Sequence, residues 1–107
     1  METTFGARVR IDGQDASDYS LVGAFEAVEA ARTDTPLTYF EFGTLAAWEV
    51  FAAAGVEAAI LEVGLGGRLD AVNAWEPDVS IVTTVALDHT DWLGPDRESI
   101  GFEKAGI

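Results

Sequence analysis

Glu62 and His89 are two potential metal ligands that follow apolar, β-branched runs. Glu62 interrupts "AAILEV" near the carboxyl end of one run, and His89, the only histidine, follows the next run in "VTTVALDHT". Ligands of open α/β sheets bind where neighbouring strands end, so the two side chains would face one crevice. Carboxylate oxygen and imidazole nitrogen together suit a divalent ion such as Mg²⁺ or Mn²⁺. A structural alternative stays open, in which His89 is satisfied by hydrogen bonds at a strand end.

Lys104, in "EKAGI", is the only lysine, and every other basic residue of the chain is an arginine. One interpretation is structural: a cation near the end of a helix is favoured by the helix dipole. The other is chemical, because a neutral lysine amine is a nucleophile whereas a guanidinium stays charged. The residue alone does not decide between them.

The segment "LEVGLGGRLDAVN" contains Gly64, Gly66 and Gly67 directly behind an apolar run. Its spacing fits neither the phosphate loop, which needs G-K-[ST], nor the dinucleotide motif, which needs G-x-G-x-x-G entering a helix. The glycines instead predict a sharp turn that uses positive φ angles.

The elements that must position these residues alternate between helices and buried strands. Patterning predicts helices over 17–32, with Leu21, Phe25 and Val28 on the apolar face, over 38–54, ending at Gly55, and from Asp96 through Ile107. It also predicts strands over 8–11, 57–63 and 78–87, with a turn at Asp12-Gly13 after the first. The last two strands are apolar on both faces, as in a parallel sheet covered on both sides. The fold class is therefore α/β.

Composition limits the partners. The chain has 107 residues, which suits one domain, and its formal charge of −13 would repel nucleic acid and anionic membranes. It has no cysteine, and its first residues lack the pattern of a signal peptide. We therefore expect a cytoplasmic location, with no nucleic acid and no membrane as partner.

Four blocks, "LTYFEFGTLAAW", "LEVGLGGRLDAVN", "VTTVALDHTDWLG" and "EKAGI", occur in this order. Together they closely resemble the folylpolyglutamate synthase/dihydrofolate synthase family of the Mur ligase superfamily. The resemblance implies part of a P-loop-type parallel sheet layered with helices, the central ATPase domain of these ligases. It implies an ATP-dependent ligase of folate biosynthesis, which joins L-glutamate to a folate or pteroate carboxylate through an acyl phosphate.

The resemblance also implies roles for individual residues. Glu62 and His89 match ligands of a divalent ion, Mg²⁺ or Mn²⁺, and Lys104 matches a lysine that the family carbamylates with CO₂. Such a carbamate is a carboxylate-like ligand, which explains why the position would be a lysine. Positions that match the lining of the family's pterin pocket are Thr38, Phe40, Asp70 and Ala71.

The sequence also departs from the family pattern. The family's phosphate loop ending in G-K-[ST] and its Ser-Pro-His segment are absent from these 107 residues. We therefore expect residues 1–107 to be an incomplete central domain without the P-loop and the C-terminal domain, with ATP held mainly by other segments. Its partners would include the missing parts of the same enzyme, if the enzyme is split. Alone, the chain would be inactive, and a non-catalytic acidic α/β module that binds a partner or a divalent cation is the alternative.

Overall fold

The computed structural model describes residues 5–86 and 93–107, and the chain divides into two compact units, Met1–Ala59 and Ile60–Ile107. The described residues contain α-helices and one two-stranded antiparallel sheet. In the same ranges, no helix is long and apolar enough to cross a membrane.

The first unit opens with a 3₁₀ turn and a short hairpin. Phe5–Arg8 form the 3₁₀ turn, and β1 (Arg10–Ile11) pairs antiparallel with β2 (Gln14–Asp15). The connecting residues have positive φ angles, 52° at Asp12 and 80° at Gly13, as a two-residue type I′ hairpin turn requires. The predicted turn is confirmed. The predicted strand is shorter than expected because Arg8 belongs to the 3₁₀ turn.

Helix α1 spans Asp18–Arg32, as the sequence predicts. Ser17 caps it, with its Oγ accepting a hydrogen bond from the backbone N–H of Ser20 at 3.1 Å. At the other end, Arg32 makes two hydrogen bonds to the Glu29 carboxylate, at 2.7 and 3.0 Å. These local interactions fix both ends of the helix.

Helix α2 spans Tyr39–Ala54 and begins with a capping box. The Thr38 hydroxyl accepts from the Glu41 N–H at 3.1 Å, and the Glu41 carboxylate accepts from the Thr38 N–H at 2.8 Å. Gly55 ends the helix in the left-handed conformation, with φ 67°. Both boundaries agree with the sequence prediction.

The core of the first unit lies between α1 and α2. The predicted apolar face of α1 is confirmed, since Leu21 and Val28 are buried and Phe25 packs against them. Phe25 also contacts the rings of Phe5 and Phe42, with centroids 5.4 and 5.9 Å away. The buried members of the cluster are Val9, Leu21, Ala24, Val28, Ala46 and Val50.

Gly23 is an exposed helix glycine whose replacement should stabilise the first unit. An alanine methyl there would meet no atom within 4 Å. We expect Gly23→Ala to raise the free energy of unfolding by about 0.5–1 kcal/mol, because alanine loses less backbone entropy in a helix. Urea denaturation followed by circular dichroism measures the change.

The matched control is Gly43→Ala in α2, where the added methyl would lie 2.8 Å from Phe5 Cε2. There the displacement of the Phe5 ring offsets the gain in helix propensity. Equal stabilisation by the two substitutions would contradict this account.

The second unit is organised around helix α3, which spans Arg97–Ala105. Asp96 caps it as predicted, but the helix ends two residues before Ile107, with Gly106 as the C-cap. A second 3₁₀ turn covers Ala71–Ala74. Buried apolar side chains of this unit are Leu93 and Ile100.

Neither of the two predicted parallel strands forms within the part of the chain that the structure describes. Residues 57–63 and 78–86 form no strand, and within the described ranges their backbones pair with no neighbouring strand. A strand needs a partner at hydrogen-bonding distance, so an apolar β-branched run without one does not form a sheet. The side chains of Ile60 and Ile81 are accordingly 94% and 74% exposed. Only the short β1–β2 sheet is present in the described residues.

Candidate active site

The loop that follows Glu62 is organised by the Asp70 carboxylate. Asp70 Oδ2 accepts hydrogen bonds from the backbone N–H groups of Gly64 and Leu65, both at 2.9 Å. Its Oδ1 accepts from the Val72 N–H at 3.0 Å and so caps the 3₁₀ turn. These three charge-assisted hydrogen bonds to one carboxylate connect the start of the loop, at Gly64 and Leu65, with its later part, at Val72.

The glycines of this loop allow a sharp turn of the chain and a close approach to helix α3. Gly66 has φ 69°, which confirms the predicted positive-φ turn at this position. Gly67 lies against the last turn of α3: a methyl there would be 2.6 Å from Ile107 Cγ2 and 2.9 Å from the carbonyl oxygen of Lys104. Only a residue without a side chain permits this approach.

Arg68 connects the loop to α3 through hydrogen bonds to Glu103. Its backbone N–H donates to the carbonyl oxygen of Glu103 at 2.7 Å. Its guanidinium makes two hydrogen bonds to the Glu103 carboxylate, both 3.0 Å, and lies 5.4 Å from the Phe102 ring centroid. The hydrogen bonds to Glu103 raise the pKa of Arg68 above its ordinary value, so the guanidinium stays charged. The side-chain amide of Asn73 adds bonds to the carbonyl oxygens of Arg68 and Gly106, each 3.0 Å.

Lys104 lies in the last turn of α3, the position that the structural interpretation predicts. Its side chain is half-buried and makes no hydrogen bond or ion pair within the described part of the chain. Among the backbone atoms of α3, the carbonyl oxygen of Lys104 would lie nearest to a methyl added at Gly67, at 2.9 Å. The loop therefore contacts α3 at the candidate carbamylation residue itself.

Glu62 is exposed and likewise makes no hydrogen bond or ion pair to another described residue. His89 lies outside the described residues, in the gap between 86 and 93. Across 5–86 and 93–107, no three acidic or histidine side chains come together as a metal site would require. The ligand set Glu62, His89 and Lys104 therefore stays a prediction.

The four predicted pterin-pocket residues lie in different units. Thr38 and Phe40 belong to the first unit, at the start of α2, where Thr38 is the helix cap and the Phe40 ring is 42% exposed. Asp70 and Ala71 belong to the second unit, where Asp70 organises the loop and Ala71 begins its 3₁₀ turn. Their pterin-binding role stays a prediction.

Asp96 makes the N-terminal cap of α3 dependent on pH. Its Oδ1 accepts a hydrogen bond from the Ser99 N–H at 2.8 Å, and this bond lowers the pKa of Asp96 below its ordinary value of 3.8. A lowered folded-state pKa means that the cap is fully effective above about pH 4 and is lost as the pH falls through the folded-state pKa. We expect an NMR titration of the Asp96 carboxyl carbon to give a midpoint below that of an ordinary aspartate.

Asp96→Asn is the matched control for this titration, because asparagine caps helices but does not titrate. The Ser99 amide shift should then be insensitive to pH in this range. An ordinary midpoint for Asp96 would contradict the role of the cap.

Comparisons with known proteins identify the chain. The dihydrofolate synthase/folylpolyglutamate synthase of Escherichia coli strain K12 is 59% identical over 100 residues, which cover 94% of this chain and 24% of that protein. The chain belongs to the folylpolyglutamate synthase/dihydrofolate synthase family. It spans about a quarter of the length of this relative, 24%. No protein-family model matches it.

Solved structures of folylpolyglutamate synthase/dihydrofolate synthases have the same fold. E. coli FolC in complex with DHPP and ADP matches all of this chain and 27% of that chain, with TM-score 0.94 and 54% identity. A bifunctional folylpolyglutamate synthase/dihydrofolate synthase with Mn, AMPPNP and L-glutamate bound matches 96% of this chain and 25% of that chain, with TM-score 0.89 and 57% identity. The predicted resemblance to the family is confirmed.

The loop and α3 make contacts that the sequence does not predict. Arg68 and Asn73 lie in "LEVGLGGRLDAVN" and Glu103 lies in "EKAGI", but the sequence alone assigns none of them a role in the site. The available signal is an arginine within one motif and a glutamate within the other. Their pairing across 35 positions of sequence becomes visible only when the loop and α3 are folded together.

Proposed function

We propose that the chain is part of an ATP-dependent ligase that joins L-glutamate to dihydropteroate or tetrahydrofolate. The observation that carries this proposal is the 59% identity to the E. coli dihydrofolate synthase/folylpolyglutamate synthase. Ligands named in the related structures, ADP, DHPP, AMPPNP and L-glutamate, are consistent with it. A reaction that consumes ATP also favours the cytoplasmic location expected from the sequence.

In the proposed reaction, a carboxylate oxygen of the pteroate or folate attacks the γ-phosphorus of ATP. ADP leaves, and an acyl phosphate forms. The amine of L-glutamate then attacks the acyl carbon, loses a proton and displaces phosphate to give the amide. Both steps build negative charge on oxygens, so preorganised positive groups and dipoles lower their barriers.

Lys104 is proposed to act as a carbamate. Its neutral amine adds to the carbon of CO₂ and loses one proton, which leaves a carboxylate-like group on the side chain. This group, with Glu62 and His89, would hold Mg²⁺ or Mn²⁺. The Glu62 carboxylate fits this role because it is exposed and binds no other described side chain. When bound, the ion would offset negative charge on the reacting phosphate oxygens.

The pterin ring is proposed to bind at Thr38, Phe40, Asp70 and Ala71. Phe40 offers an exposed aromatic face for stacking. Asp70 Oδ1 accepts only one of the three described backbone bonds to this carboxylate, which leaves acceptor capacity for the amino groups of a pyrimidine. The same carboxylate would therefore organise the loop and orient the substrate.

Residues 1–107 are proposed to be an incomplete central domain, completed by the rest of the enzyme. The sequence contains no G-K-[ST] motif, so ATP would be held mainly by other segments. In the complete ligase, residues 57–63 and 78–86 would form strands of a parallel sheet, which would cover the exposed side chains of Ile60 and Ile81. The partners would then include the missing parts of the same enzyme.

The proposal is tested with a chimera in which the matched residues of this chain replace the corresponding segment of the E. coli relative. We expect the chimera to form ADP and amide product from dihydropteroate, ATP and L-glutamate. The isolated chain should form neither, and the unmodified E. coli protein is the positive control. Robust ligation by the isolated chain would overturn the fragment proposal, and a folded but inactive chimera would favour the non-catalytic acidic module.

A further inference from the structure

The loop 64–73 contacts α3 on both sides of Lys104. Arg68 binds Glu103, the preceding residue, through its backbone and its side chain. Asn73 binds the carbonyl oxygen of Gly106, two residues beyond Lys104. Lys104 makes no side-chain bond within the described residues, so these bonds of its neighbours hold the end of α3 against the loop.

The same loop is tied by hydrogen bonds to the segment that follows Glu62. Asp70 holds the N–H of Gly64, which lies two residues after Glu62, at 2.9 Å. Asn73 connects Asp70 to Arg68, because its backbone N–H donates to the Asp70 carbonyl oxygen and its side-chain amide donates to the Arg68 carbonyl oxygen, each at 3.0 Å. A continuous set of hydrogen bonds therefore runs from Gly64, through Asp70, Asn73 and Arg68, to Glu103. All of these bonds lie within the second unit.

The Arg68–Glu103 ion pair orients the loop relative to α3 more than it stabilises the fold. The side chains of Arg68 and Glu103 are 43% and 19% exposed. An ion pair with this degree of solvent exposure contributes little to the free energy of unfolding, about 0–1 kcal/mol. Its two parallel bonds nevertheless fix one relative orientation of the loop and the helix. Lysine could supply the charge but cannot reproduce the paired geometry.

We propose that Arg68 is a positioning residue that, through Glu103, sets the separation between Glu62 and Lys104. This inference rests on the proposed function of Glu62 and Lys104 as metal ligands. Arg68 itself touches neither the ion nor the substrate in this proposal. It acts by holding the lysine at the place where its carbamate can share an ion with Glu62.

The experiment compares Arg68→Lys with the unsubstituted chimera described above. We expect the apparent KM for Mn²⁺ to rise about tenfold, as for other groups that orient metal ligands. The KM for dihydropteroate should stay unchanged. The ¹³C NMR signal of a carbamate formed from ¹³C-bicarbonate should weaken, while the thermal midpoint changes little.

Arg97→Lys is the matched control, because Arg97 is an exposed arginine at the start of the same helix. It should leave both the KM for Mn²⁺ and the carbamate signal unchanged. The reversed pair, Arg68→Glu with Glu103→Arg, should recover part of the Mn²⁺ affinity that either single substitution loses. A purely structural role would shift the thermal midpoint without these selective effects.

The experiment distinguishes a failure of the proposed role of Lys104 from a failure of the positioning proposal alone. If the unsubstituted chimera shows no carbamate signal, the proposed role of Lys104 is wrong and the positioning proposal is overturned with it. If that signal is present and Arg68→Lys leaves it and the KM for Mn²⁺ unchanged, only the positioning proposal is overturned.

Discussion

Gly67→Ala is expected to separate the loop 64–73 from helix α3. The added methyl would lie 2.9 Å from the carbonyl oxygen of Lys104 and 3.0 Å from that of Glu103, as well as 2.6 Å from Ile107 Cγ2. Two of these neighbours are backbone atoms of a helix, which cannot turn away as a side chain can. Forcing such an overlap costs about 1–3 kcal/mol or more.

Amide hydrogen exchange measures this effect directly, because the Arg68 N–H donates to the Glu103 carbonyl at 2.7 Å. In the 107-residue chain, Gly67→Ala should remove the protection of this amide. The matched control is Gly101→Ala in α3, where the nearest atom to the new methyl is Val85 Cγ1 at an ordinary 3.7 Å. Unchanged protection in Gly67→Ala would show that the loop does not need this close approach.

The helices could be predicted because their signals are local. Ser17, Thr38 and Asp96 each accept a backbone hydrogen bond from a residue three positions later. Such caps depend on a few neighbouring residues, so the sequence contains nearly all the information that fixes them. The signal that ends α2 is also local, because it is the left-handed Gly55 itself.

The strands could not be predicted in the same way because a strand depends on its partners. Residues 57–63 and 78–86 have the composition of buried strands, and neither pairs with another segment in the described chain. Composition indicates what a segment would do in a covered sheet and does not reveal whether the neighbouring strand is present.

The candidate site was predicted in part. The turn at Gly66 follows from the glycine-rich composition of the loop, and its positive φ is confirmed. The close approach of Gly67 to Lys104 depends on residues 37 positions apart, which no local pattern links. For the same reason, the sequence showed Arg68 and Glu103 as two ordinary charged residues rather than as a pair.

Lys104→Arg is expected to abolish most ligase activity of the chimera. Arginine keeps the positive charge in the last turn of α3 and preserves its favourable interaction with the helix dipole. Its guanidinium does not lose a proton, so it cannot add to CO₂. The substitution therefore retains the structural role of Lys104 and removes only the chemical one. We expect kcat to fall on the order of 100- to 1000-fold, as when one preorganised group of an active site is lost.

Steady-state kinetics with and without bicarbonate distinguish the two interpretations of Lys104. The unsubstituted chimera should lose activity when CO₂ is removed and recover it when bicarbonate returns, while Lys104→Arg should respond to neither change. Lys104→Glu supplies a carboxylate on a shorter side chain and should be independent of CO₂. If Lys104→Arg retained full kcat, the lysine would act only through the helix dipole, and Glu62 and His89 would lack their third predicted ligand.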